Sequence, residues 1–176
     1  MPAFPLDELT VVLLKKGIVV GRFDCGDADL NEFLKEDAFA YSEQELAKTY
    51  VALYRNEPVS FISVCADAIK LSDEETEAEF GKKKEHADYP AVKIARLAVA
   101  RQHQRSKIGI TMVEYAIGKA IELSESVGCR FVTVDAYPAQ QRFYEKCNFT
   151  RNEKDSSGAN VSMRLDLLPF KQAYFR

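Results

Sequence analysis

The chain has 176 residues, 47% hydrophobic and 29% charged, with 24 Lys and Arg against 27 Asp and Glu. That length suits one domain and lets roughly 70% of the unfolded chain's surface be buried, so a core forms without disulfides or metals. With 8 Gly, 6 Pro, a net charge of -3 and no apolar run near ~18 residues, it is not collagen-like, low-complexity, membrane-spanning or broadly nucleic-acid-binding.

Asp7 and Glu8 precede any apolar stretch and no basic start is present, so the N-terminus does not read as a signal peptide and a cytoplasmic chain is expected. Thr10–Leu14 is a short apolar run suited to a strand. Asp27 or Asp29 can cap a helix, in which Leu30, Phe33, Leu34 and Ala38 recur at helical spacing and Tyr41 to Leu46 extend or restart it. Thr49–Arg55 and Val59–Val64 are β-rich runs, and Asn56-Glu57-Pro58 between them predicts the turn of a hairpin. Asp73 to Glu85 runs from Asp73, Glu74, Glu75, Glu77 and Glu79 to Lys82, Lys83 and Lys84. With few apolar residues it reads as a solvated helix or loop, a substrate-facing lid being the alternative.

Val92–Val99 is the next strand. Ile108, Met112, Ala116, Ala120 and Leu123 then mark one apolar face of a helix ending near Ser126, with Gly128 as its left-handed stop. Arg130–Val134 completes a βαβ unit. Ala139–Cys147 predicts a further helix, and Phe149–Glu153 with Val161–Leu167 a closing hairpin joined through Ser156-Ser157-Gly158. The result is a mixed α/β sheet in a single domain, residues 1–176. Cys25, Cys65, Cys129 and Cys147 form no CxxC pair and lie far in sequence from His86 and His103. The reading is four reduced, mostly buried thiols and no metal site.

Ligands of open α/β sheets bind beyond the carboxyl ends of parallel strands, which singles out the segment after Val99. It carries Arg101, Arg105 and Lys107 and leads directly into a helix, whose free N–H groups and dipole favour an anion. A site for a phosphorylated cofactor is one reading and a basic, solvated loop the other.

Leu97-Ala98-Val99 followed by Gln104-Arg105-Ser106-Lys107-Ile108-Gly109 resembles the GNAT superfamily of acyl-CoA-dependent N-acetyltransferases, with its Gln/Arg-x-x-Gly-x-Gly/Ala signature after a Leu-Ala-Val-like strand end. Arg142-Phe143-Tyr144-Glu145-Lys146-Cys147-Asn148-Phe149 is similar to the family's Phe-Tyr-x-Lys-x-Gly-Phe segment, and the order of elements fits along the whole chain. Phe23-Asp24-Cys25-Gly26 and Asp29-Leu30-Asn31-Glu32-Phe33-Leu34 resemble the subgroup that contains tRNA-acetylating toxins. Two positions depart from the pattern. Lys107 replaces the first glycine, adding a Cβ and a cation that either pairs with phosphate or fills the pocket with its stem. Asn148 replaces the glycine after the helix, where Asn tolerates a left-handed cap.

The resemblance implies a GNAT-like mixed, mostly antiparallel central sheet with a parallel βαβ unit and flanking helices. It implies acetyl transfer from acetyl-CoA to an amine by direct attack on the thioester. Leu97, Ala98, Val99, Gln104, Arg105, Ser106, Lys107, Ile108, Gly109 and Ile110 match the cofactor-binding positions. Tyr144 matches the tyrosine that protonates the departing thiolate, against the plainer reading of a packed aromatic. Relatives often place a Glu base on the strand before the loop, where this chain has Lys93, Ala95 and Arg96. Asp135 either relays a proton or caps the following turn, and His103 is a packing or polar contact in the loop. Phe143 and Phe149 read as core. The acceptor is a small-molecule or peptide amine. Alternatives are a toxin acetylating charged tRNA beside an antitoxin, using a basic face around Lys82–Lys84, Arg101 and Arg105, or a non-catalytic module whose cofactor loop is spoiled by Lys107. A homodimer stays open, and no membrane is a partner.

Overall fold

Residues 4–81, 88–153 and 158–174 are described by a computed structural model of the chain. Its strands are β1 (Thr10–Leu13), β2 (Lys48–Tyr54), β3 (Glu57–Ile69), β4 (Tyr89–Val99), β5 (Phe131–Ala136), β6 (Thr150–Arg151) and β7 (Val161–Asp166). They form a seven-stranded sheet in the order β1-β2-β3-β4-β5-β7-β6, mostly antiparallel with β4 and β5 parallel, as the mixed-sheet reading expected. The chain divides into two units, Met1–Cys65 with Ile94–Ala116, and Ala66–Lys93 with Ile117–Arg176.

In the first unit, Asp27 caps the helical segment by accepting from the Leu30 N–H at 3.1 Å. The segment is α1 (Ala28–Glu32), a π-helical turn (Phe33–Asp37) and α2 (Ala38–Glu43). It buries Phe33, Leu34 and Ala38 against Leu14, Phe23, Val51, Phe61 and Ala98. The rings of Phe23 and Phe33 both meet Phe61, at 5.5 and 6.1 Å. The hairpin turn is Arg55-Asn56, not Asn56-Glu57-Pro58. Both residues are left-handed, with φ of 50° and 63°, the twist that joins antiparallel strands through two residues. Glu57 and Pro58 instead pair with Tyr54 and Leu53, and Pro58 sits at the irregularity between Ala52 and Leu53, where its missing N–H is tolerated.

Helix α4 (Ile108–Ser124) begins in the first unit and ends in the second. Ile108, Met112, Ala116 and Ala120 are buried as the spacing predicts, whereas Leu123 is 42% exposed. Gly128 is not its left-handed stop, since it is absent from the positive-φ residues. The helix closes earlier, through Ser126 and Val127 N–H groups bonded to the Leu123 carbonyl.

In the second unit, β5 pairs β7 from Phe131↔Asp166 to Ala136↔Val161, and β6 contributes only Thr150 and Arg151 to the closing hairpin. Helix α3 (Asp73–Phe80) opens with a capping box of Ser72 and Glu75 and closes at Gly81 with φ 69°. The solvated reading of this segment fails at Glu75 and Thr76, which are 7% and 4% exposed. Glu75 Oε1 accepts from Arg164 at 2.6 Å and Glu79 Oε1 from the same guanidinium at 3.2 Å. Acidic density along the chain says nothing of an arginine 89 residues away. Lys82–Lys84 and Ser156-Ser157 lie outside the described residues. Helix α5 (Gln141–Lys146) follows a short 3-10 turn at Pro138–Gln140, and α6 (Leu168–Tyr174), which periodicity did not announce, follows β7. All four cysteines are free thiols; Cys25 and Cys147 are buried, Cys65 and Cys129 half-buried.

Candidate active site

The segment from Ala100 to Ile108 turns sharply into α4. Arg105 and Lys107 are left-handed, with φ of 64° and 69°. No N–H from Arg105 through Ile110 donates to a carbonyl or side chain among the described residues, and the first donor into the helix ladder is Thr111, to the Lys107 carbonyl. Six consecutive free N–H groups, reoriented by alternating left-handed residues at a helix start, make a concavity for an anion. Lys107 is exposed. The family glycine at its position is therefore explained by backbone conformation as well as by room for a diphosphate. A lysine held there keeps the N–H groups but carries conformational strain of order 1 kcal/mol.

The loop is pinned from below by the segment Phe23–Asn31. Gln104 Nε2 donates to the carbonyls of Cys25 at 2.9 Å and Val99 at 3.2 Å, so its side chain braces the loop. The Arg101 N–H donates to the Asp24 carbonyl at 2.9 Å, and its Nε lies 3.5 Å from the Asp24 carboxylate. That carboxylate also accepts from Asn31 Nδ2 and the Gly26 N–H, both at 2.9 Å, with the Asn31 bond the leading cause that holds it below the usual carboxylate range. In the sequence Asp24, Gly26 and Asn31 stand out only by resemblance to a subgroup; an Asp two residues before a Gly is the local sign of a tight turn. Gly26 has φ 92°, and an added Cβ would lie 2.7 Å from Arg101 Nε. Gly26→Ala is therefore expected to lower the melting temperature and weaken acetyl-CoA binding together, measured by thermal unfolding with and without the donor. Unchanged values would show that neither the close approach of Arg101 nor the left-handed backbone at Gly26 limits this turn.

The strand end before the loop is equally anchored. Ala98 is buried with its carbonyl accepting from Ser60 Oγ at 2.7 Å, and the Ala100 N–H bonds the Val59 carbonyl at 2.8 Å. His103 packs beside Phe4 and Tyr54, with ring centroids 5.2 and 6.4 Å away, and burial lowers its pKa, so it stays neutral at neutral pH. Ser106 Oγ donates to its carbonyl.

In the second unit, Tyr144 on α5 is 7% exposed, with the rings of Phe143 and Phe149 at 5.0 and 5.5 Å. Burial, with a smaller effect of Cys147, pushes its phenol well above the ordinary value. The hydroxyl has no hydrogen-bond partner among the described residues and, unlike that of Tyr89, is not sealed from access. Asn148 takes φ 67°, as expected of a residue replacing the family glycine, and lets the Phe149 N–H return to the Tyr144 carbonyl at 3.0 Å. Asp135 does not cap a turn. It lies within β5 and is held by Lys93 Nζ at 2.5 Å.

With β4 and β5 parallel and a loop of free amides leading from β4 into α4, the chain carries an anion-binding loop on a mixed α/β sheet. Residues 45–151 match the family model described as an acetyltransferase (GNAT) domain, and the chain belongs to that family. It is an acetyltransferase that transfers the acetyl group of acetyl-CoA to an amine. Among characterised proteins, a tRNA-acetylating toxin of Mycobacterium tuberculosis (strain ATCC 25618 / H37Rv) is 25% identical over 138 residues, 77% of this chain and 81% of the toxin. Two solved structures share the fold. AtaT complexed with acetyl-methionyl-tRNAfMet has a TM-score of 0.83 at 20% identity, covering 94% of this chain and 99% of that one. A mutant AtaT toxin bound to the C-terminus of the antitoxin AtaR and acetyl-CoA has a TM-score of 0.78 at 20% identity, covering 97% and 100%. No helix among the described residues is long and apolar enough to cross a membrane.

Proposed function

We propose that this chain acetylates the α-amino group of an aminoacyl-tRNA, as one catalytic domain over residues 1–176, since β3, β4 and α4 each run unbroken through both units. The observation that supports the reading is that, among the described residues, β4 offers no carboxylate before the loop. The attacking amine must be neutral, and where relatives use a carboxylate this chain has Lys93, Ala95 and Arg96 on β4, with Asp135 engaged by Lys93. A lysine-type amine with pKa ~10.4 would need such a base, whereas an α-amino group near ~7.7–8.0 is already partly neutral at pH 7. The likeness to a tRNA-acetylating toxin points to the same acceptor.

Acetyl-CoA supplies an electrophilic thioester carbonyl with a thiolate leaving group. The amides of Arg105, Ser106, Lys107, Ile108, Gly109 and Ile110 hold its diphosphate, and Gln104 keeps their loop in place. Main-chain amides at Leu97-Ala98-Val99 meet the negative charge that grows on the carbonyl oxygen. Tyr144 Oη gives its proton to the departing sulfur. Charged tRNA and acetyl-CoA meet in the cytoplasm, where we place the chain, with an antitoxin protein as the partner that restrains it.

Radiolabelled acetyl-CoA incubated with aminoacyl-tRNA and, separately, with free amines tests the acceptor. Label is expected on the aminoacyl ester, with growth arrest when the chain is expressed; label on free amines alone sinks the proposal. The rate is expected to rise as pH climbs through about 7–8, as the α-amine loses its proton. Because the Tyr144 phenol is held protonated, no fall should follow up to pH ~10. Lys107→Gly is expected to leave acetyl-CoA affinity unchanged or tighter in calorimetric titration. A tenfold loss, about 1.4 kcal/mol, would make Lys107 itself a phosphate ligand.

A further inference from the structure

Arg96, on β4, lies with its Cζ 3.9 Å from the centroid of the Phe33 ring and 5.9 Å from that of Tyr41. Three arginines among the described residues are withdrawn from solvent: Arg96, Arg130 and Arg164. Arg130 meets Asp166 and Arg164 meets Glu75, at 2.8 and 2.6 Å. Arg96 meets no carboxylate and donates no hydrogen bond among the described residues, although Glu32 and Glu36 stand on the helical segment that carries Phe33. Nor is any of its nitrogens sealed, in contrast to the Nε atoms of the other two. Its donors therefore still face water, which an anion can replace. The ring face holds the guanidinium in place by cation–π attraction. Its N–H donors lie in the guanidinium plane as a fork that fits two oxygens of one phosphate.

The backbone beneath supplies a second, independent observation. Phe33 opens the π-helical turn Phe33–Asp37 within an otherwise α-helical segment, a rare distortion concentrated at functional sites. We infer that Arg96, laid on Phe33, is the subsite for a phosphodiester of the acceptor nucleic acid. The inference rests on the aminoacyl-tRNA reading and deepens it: a free amine has nothing for this fork, so Arg96 selects amines carried on RNA.

The test compares wild type, Arg96→Met and Arg96→Lys. Steady-state acetylation of aminoacyl-tRNA is measured across salt concentrations, calorimetry gives acetyl-CoA affinity, and an amino-acid amide serves as acceptor without phosphate. Arg96→Met is expected to raise KM for aminoacyl-tRNA at least tenfold and to lower the salt slope of tRNA binding by about one. Acetyl-CoA affinity and the slow rate on the amide should stay put. Arg96→Lys keeps the charge without the fork and is expected to fall between; it decides the matter if Arg96→Met does not fold. Wild-type KM and salt slope in a folded variant overturn this inference alone. A wild-type protein that acetylates the amide but no aminoacyl-tRNA overturns the acceptor reading and this subsite with it.

Discussion

Tyr144→Phe is expected to lower kcat by about 10²- to 10⁴-fold, the range of a positioned general acid, with acetyl-CoA affinity nearly unchanged. The substitution removes one oxygen and keeps the ring between Phe143 and Phe149. It leaves no buried partner unpaired, because the hydroxyl bonds no other group among the described residues. Stability should therefore hold or rise slightly, which separates loss of chemistry from loss of fold. A phenol whose pKa is raised is a weaker acid than an ordinary tyrosine, yet it stays protonated at every working pH and so keeps its proton available for the sulfur. Single-turnover kinetics with saturating acetyl-CoA measure the step directly. Equal turnover in the variant would return Tyr144 to the plain role of a packed aromatic.

Glu75→Ala is expected to destabilise the protein by about 3–5 kcal/mol, the cost of stranding a buried charge. Arg164 is 7% exposed, and with Glu75 gone its remaining partners among the described residues are Glu79 and the Asn152 side-chain oxygen. At this chain length that corresponds to a fall in Tm of roughly 6–20 °C. Glu75→Leu combined with Arg164→Met should recover most of the loss, because an apolar pair leaves no charge uncompensated. Burial by itself would raise the Glu75 pKa. Hydrogen bonds from the Ser72 and Glu153 N–H groups, and the Arg164 guanidinium, outweigh it and hold the carboxyl below its usual range. Stability from this group is thus complete above the unfolded Glu value of about 4.3 and is lost as pH falls through the lower folded value. Acid unfolding of Glu75→Ala should be flatter below pH ~4.3 than that of wild type. An unchanged Tm in Glu75→Ala would mean that Glu79 alone neutralises Arg164.

What could be read without coordinates was whatever depends on neighbours in the chain. Apolar spacing marked α4, a short acceptor at Asp27 marked the start of the helical segment, and the run from Leu97 to Gly109 marked the loop of free amides that enters α4. Asn148 was legible as a left-handed cap because the preference is local to one residue. The errors share a cause. The hairpin turn slipped because Pro58 reads as a turn residue wherever it occurs, and only the pairing with Leu53 shows it inside a strand. Glu75 read as solvated because its partner, Arg164, lies on the far strand of the closing hairpin. The bracing of the Cys25 and Val99 carbonyls by Gln104 was likewise invisible, because Cys25 lies 79 residues away in the chain.

The amino-acid order alone fixed the place of the loop between β4 and α4 and carried the motifs by which the chain resembles its family, since periodicity and motifs are short-range properties of the chain. Folding decided which charges are neutralised and which stand open: Glu75 and Asp135 each find a cation, and among the described residues Arg96 finds the faces of aromatic rings and no carboxylate. A charge acquires its energy from what surrounds it in space, and those surroundings are assembled from segments far apart in sequence.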